Sequence, residues 1–97
     1  MFRHIVLLAW TADATAEQKA DVAAQLAKLP GAIPEIRHYE IGVDAGVNEG
    51  NHDLAVVADF DDVDGYLVYR DHPAHLAVIT DYLKPILATR AAVQHQL

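Results

Sequence analysis

Ile5-Val6-Leu7-Leu8-Ala9-Trp10 is apolar at every position and mixes β-branched, aliphatic and aromatic side chains without a helical period. Such a run reads as a β-strand buried on two sides. The strand period of two places His4, Val6, Leu8 and Trp10 on one face, and Ile5, Leu7 and Ala9 on the other. Both faces need protein against them, so the fold must supply a layer on each side. His4 stands in line with core residues and reads either as a hydrogen-bonded structural histidine or as a pocket group. Trp10 reads as core or as pocket wall.

Outward from this strand, Thr15-Ala16-Glu17-Gln18 has the pattern of a capping box. It opens a helix whose stripe is Val22, Leu26 and Leu29, while Glu17, Asp21, Gln25 and Lys28 form a solvated face. Pro30-Gly31 stops the helix. A second strand, Glu35 to Val43, is less apolar and lies nearer an edge, where Arg37 and Glu40 discourage unwanted pairing. Asp44 to His52 has the Gly and Asn content of a loop, without the strand-to-helix glycine pattern that cradles phosphate. Asp53 to Phe60 is a third strand, with Leu54, Val56 and Ala58 on one face.

Four aspartates fall between Asp59 and Gly65. Counted as a calcium loop, the sixth position would be Asp64 where glycine is needed, and the twelfth would be Arg70. Asp61 is instead expected to cap a helix from Asp62 to about Tyr69, with Val63, Tyr66 and Leu67 inward. A further helix from Pro73 to about Leu83 carries the stripe Leu76, Ile79, Leu83 and Ile86, until Lys84-Pro85 ends or kinks it. Arg90 to Leu97 reads as a last strand. The order is strand, helix, strand, strand, broken helix, strand, which suggests an α+β, ferredoxin-like antiparallel sheet with helices on one face.

The densest collection of proton-handling groups is Tyr69-Arg70-Asp71-His72-Pro73-Ala74-His75. Proline drives the preceding residue out of the α region and itself suits a first helical turn, so His72 marks a boundary. His75 then falls in the first turn, where the positive end of the helix dipole disfavours imidazolium. His75 also precedes Ile79 by four residues and so borders the buried stripe. A neutral imidazole there is fit to accept a proton, and Tyr69 is placed to meet it in one pocket. Helix entry alone also accounts for His-Pro.

Ninety-seven residues leave room for one domain, over 1–97. The 53% hydrophobic and 7% aromatic content implies a core of Ala, Val, Leu and Ile that association would help. Seven basic against fourteen acidic side chains give a net charge of -7, which repels nucleic acid and anionic membrane surfaces. Cysteine is absent, so disulfides and thiolate chemistry are excluded. The N-terminus shows no signal-peptide pattern, and no apolar run approaches the ~20 residues of a membrane span. A cytoplasmic protein is expected.

Arg3 to Leu8, Asp53 to Val57 with Phe60, Tyr69 to His75, and Leu83-Lys84-Pro85-Ile86-Leu87 together resemble the stress-responsive dimeric α/β barrel (Dabb) family over nearly the whole chain. The resemblance implies a homodimer in which two sheets close a barrel. One similar branch comprises polyketide cyclases that perform aldol-type ring closure without metal or cofactor. Carried over, His75 would take an acidic C–H proton, Tyr69 would hydrogen-bond the carbonyl or enolate oxygen, and His4 would face the same pocket. Val6, Leu8, Trp10, Leu54, Tyr66 and His72 would complete a wall for a small hydrophobic carbonyl compound. A further histidine of that branch falls at Leu54 here. The competing reading is a non-catalytic, stress-responsive dimer that binds a small ligand. Cofactor-independent oxygenation is a third, and HPxH offers a metal only two ligands.

Overall fold

The computed structural model describes all 97 residues. Four strands, β1 (Phe2–Trp10), β2 (His38–Val43), β3 (Leu54–Phe60) and β4 (Leu87–Gln96), form one antiparallel sheet in the order β2-β3-β1-β4. The doubly apolar strand β1 is central, as its composition requires, and the more polar β2 is an edge. Between β1 and β2 come α1 (Ala16–Ala27) and a single turn, α2 (Leu29–Ala32). Between β3 and β4 come α3 (Val63–Asp71), α4 (Pro73–Val78), a π-helical turn at Ile79–Leu83 and a 3-10 turn at Lys84–Ile86. No helix is long and apolar enough to cross a membrane.

The capping box forms as expected, with the Thr15 hydroxyl accepting from the Gln18 amide and the Gln18 side chain accepting from the Thr15 N–H. Three local expectations need correction. Val63, expected inward in the first turn of α3, is 44% exposed. Asp62, not Asp61, caps α3, its carboxylate accepting from the Gly65 N–H at 2.9 Å. Asp61 is held instead by Arg37, at 3.0 and 3.1 Å. Pro30-Gly31 ends α1 but lies inside the helical turn α2, because proline suits a first turn. Ahead of Pro85, which has no N–H and crowds the preceding turn, the helix widens, and the Lys84 N–H reaches back to the Ile79 carbonyl.

The helices cover the face of the sheet bearing His4, Val6, Leu8, Val56, Ala58 and Phe60. Val22, Leu26, Leu29, Ile33, Val78, Leu83 and Ile86 pack down onto it. His4 and Asp59 are the only polar or charged residues among those buried. Asp59 is on the opposite face, where it receives Arg3 in two contacts of 2.7 and 2.8 Å. Asp53 fastens the end of β1, accepting from the Trp10 N–H at 2.7 Å beside the register shift at Ala9/Trp10.

The second face of β1 finds no cover within the chain. Ile5 stands between Val57 and Val93, and Leu7 between Ala55 and Ala91, so an apolar band crosses three strands. Leu7 is 38% and Val93 55% exposed. The sequence's demand for protein on both sides is therefore met on one side only.

Candidate active site

A cavity of about 340 Å³ opens between the helix-covered face of the sheet and the second helical segment. The size is at the lower end of pockets that hold small molecules. Its floor is Val6, Leu8 and Val56, and Leu26, Leu76, Ile79 and Leu83 form apolar walls. The polar groups gather at His4, Tyr66, Tyr69 and His75, with Arg70, Asp71 and Arg90 also on the lining.

The break between α3 and α4 positions two of these groups. His72 is extended at the junction (φ -65°, ψ 135°), which ends α3 just after Tyr69 and starts α4 just before His75. Tyr69 and His75 are thereby brought together, their rings tilted by 34° with centroids 4.2 Å apart. His75 Nδ1 lies 3.0 Å from the Arg70 carbonyl. A carbonyl can only accept, so Nδ1 carries the proton and Nε2 keeps its lone pair. Burial pushes the His75 pKa below the ordinary histidine value, opposed by the Arg70 hydrogen bond and aided by the nearby Arg90 charge. The expected lowering is present, and burial is its largest cause.

Tyr69 is 2% exposed, and burial raises its pKa far above that of a free phenol. It remains protonated and able to donate. Its hydroxyl is 3.1 Å from that of Tyr39 on β2, with either able to donate. His4 is 4% exposed, and its ring lies 4.8 Å from Tyr66 and 6.3 Å from Tyr69. Its Nδ1 accepts from the Gln94 side-chain amide at 2.9 Å, which fixes the neutral tautomer with the proton on Nε2. Burial, followed by the Arg90 charge, lowers its pKa to about 4. The site thus presents two neutral imidazoles and a protonated phenol at neutral pH.

Of the residues expected at the site, His4, Val6, Leu8, Tyr66, Tyr69 and His75 line the cavity, whereas Trp10, Leu54 and His72 do not. His72 caps α4, its Nδ1 accepting from the Ala74 N–H at 3.0 Å. Trp10 follows the register shift in β1, and it flanks a separate hollow with Leu54, under α1. HPxH accordingly does not converge on one point, and no group of three or more His, Asp or Glu side chains is arranged to hold a metal.

Sequence reasoning missed Tyr39 and Arg90. Tyr39 lies on β2, and its partnership with Tyr69 depends on how β2 pairs with β3. Arg90 reaches the site because it pairs with Leu8 across β1 and β4, a register that no local pattern announces. Leu76, Ile79 and Leu83 were visible as a core stripe; the π turn places part of that stripe against a hollow.

Comparison with known proteins follows the same outline. A dimeric ferredoxin-like protein of unknown function from Thermobifida fusca is 47% identical, with a TM-score of 0.90 over 99% of this chain and 90% of that one. A dimeric protein of unknown function from Bacteroides fragilis, with a ferredoxin-like fold, is 30% identical (TM-score 0.84; 99% and 95% covered). A hydroxynitrile lyase from Passiflora edulis shares the fold at 19% identity (TM-score 0.84; 97% and 90% covered). No curated protein matches the sequence. The model of the stress responsive A/B barrel domain, Dabb, matches residues 2–96. With its four-stranded antiparallel sheet and helices on one face, this chain belongs to the Dabb family.

Proposed function

We propose that this protein is a homodimer that performs general acid–base chemistry on a small, largely apolar carbonyl compound, with His75 as base and Tyr69 as donor and without a cofactor. The observation that carries the reading is the close Tyr69–His75 ring contact on the wall of an apolar cavity, with the Nδ1 of His75 committed to Arg70 and its Nε2 left basic. In the step envisaged, Nε2 takes a proton from the carbon next to a carbonyl. The C–H electron pair becomes the enolate C=C bond, and the carbonyl π pair moves onto oxygen. The Tyr69 hydroxyl donates to that oxygen, while Tyr39, donating to Tyr69 in turn, strengthens it. Attack of the enolate carbon on a second carbonyl of the same molecule forms the ring, and the proton on His75 passes to the new alkoxide. The Passiflora protein of like fold is described as a lyase acting on hydroxynitriles, a class whose cleavage also ends in a carbonyl compound.

The homodimer rests on the uncovered apolar band of Ile5, Leu7, Val57 and Val93 and on the dimeric description of two related structures. A second reading, ligand binding without turnover, is favoured by the Tyr39–Tyr69 contact, which already occupies the phenol. The two are separated by turnover of a panel of β-keto compounds and cyanohydrins by wild type and His75→Ala. Catalysis requires wild-type turnover that the variant loses at an unchanged melting temperature. Saturable binding with no turnover across the panel would favour the second reading.

A further inference from the structure

The charged groups on the cavity lining are not balanced. Arg70 and Asp71 answer each other in two contacts of 2.9 and 3.0 Å. Arg90 lies on the same lining, on the helix-facing side of β4 opposite Leu8, and takes part in none of the four ion pairs of the molecule. Its charge is felt at His4, Tyr69 and His75 alike, none of which carries a negative charge at neutral pH. An unpaired guanidinium therefore borders an apolar hollow in a chain where acidic groups outnumber basic ones fourteen to seven.

We infer that the cavity takes an aliphatic carboxylate, its chain lying along Val6, Leu8, Val56, Ile79 and Leu83 and its carboxylate on the Arg90 guanidinium. The inference rests on the reading of the cavity as a ligand site and names the class of ligand. A planar guanidinium matches a carboxylate in a two-pronged contact. One uncompensated cation suits a monoanion, whereas a phosphate dianion would call for a second unpaired cation, and the other arginine on the lining, Arg70, is already held by Asp71.

Isothermal titration of octanoate, octanamide and acetate into wild type, Arg90→Gln and Arg90→Lys tests the assignment. Wild type is expected to bind octanoate about tenfold more tightly than octanamide, and acetate far more weakly than either. Arg90→Gln should abolish the preference by weakening octanoate far more than octanamide, and Arg90→Lys should keep part of it. Added salt should weaken octanoate and spare octanamide, a readout on wild type that holds even if a variant fails to fold. Equal binding of octanoate and octanamide by wild type, or an unchanged preference in Arg90→Gln, overturns the carboxylate assignment and leaves the cavity reading intact. Failure of both eight-carbon probes to bind at millimolar concentration overturns both.

Discussion

The buried His4 makes the folded state sensitive to acid in a window above that of the carboxylates. In the native protein its Nδ1 accepts from Gln94, and protonation would remove that acceptor and leave a charge in a site only 4% exposed, near Arg90. Its pKa is lowered from 6.5 to about 4, so between those values the unfolded chain binds the proton and the folded chain does not. Stability contributed by the neutral ring is present above pH ~6.5 and is lost as pH falls towards 4. At ~1.4 kcal/mol per pH unit, going from about pH 7 to about pH 4.5 removes roughly 2–3 kcal/mol. His75, also lowered, adds to the loss with the same sign. The carboxylates of Asp59, Asp61 and Asp71, depressed by their arginine partners, release their contribution at lower pH. Urea unfolding at fixed protomer concentration, repeated at about pH 7, 5.5 and 4.5, measures the slope. His4→Asn keeps an oxygen acceptor towards Gln94 but cannot titrate. Its stability should fall less across this window by that same 2–3 kcal/mol; parallel curves for variant and wild type would refute the reasoning.

Other consequences follow from packing and from the open face. Phe60→Ala removes a fully buried ring that meets both Tyr66 and Tyr69, and should cost about 3–5 kcal/mol in urea unfolding; a loss below about 1 kcal/mol would mean the ring is not central to the core. Tyr39→Phe removes the hydroxyl partner of Tyr69 and should lower stability by about 1 kcal/mol, while a melting temperature unchanged or raised would show that the phenol pair adds nothing. Leu7→Glu sets a carboxylate in the apolar band between Ala55 and Ala91 and should shift sedimentation at micromolar concentration from dimer to monomer. A variant that stays dimeric would place the interface elsewhere.

The fold was written in local patterns, and the site only partly so. The doubly apolar run of β1, the capping box at Thr15 and the Lys84-Pro85 break each act within a few residues, and each is found where the sequence puts it. The choice between Asp61 and Asp62 as cap was not local, because the Arg37 guanidinium claims Asp61 from another part of the chain. The same distinction separates His75 from His72. Helical spacing from Ile79 turned His75 inward, whereas the His72 ring turns to the Ala74 N–H, which it caps, and so stays out of the cavity. Arg90 and Tyr39 enter the site through strand register, which depends on pairing across the sheet. Trp10 and Leu54 share the strand faces of true cavity residues, but they lie towards the end of the sheet where β1 shifts register, and face alone could not place them.

The central claim, that His75 and Tyr69 move a proton at carbon in this cavity, is tested most directly by exchange of the α-protons of 2-octanone in deuterated water, followed by nuclear magnetic resonance. Wild type is expected to accelerate exchange by about 10²-fold or more over an equal concentration of free imidazole. His75→Ala should return the rate to that of the solution and Tyr69→Phe should reduce it, with both variants folded at the assay temperature and Tyr69→Phe losing only the ~1 kcal/mol of the phenol contact. Exchange in the presence of wild type no faster than with imidazole, or equally fast with His75→Ala, would contradict the account.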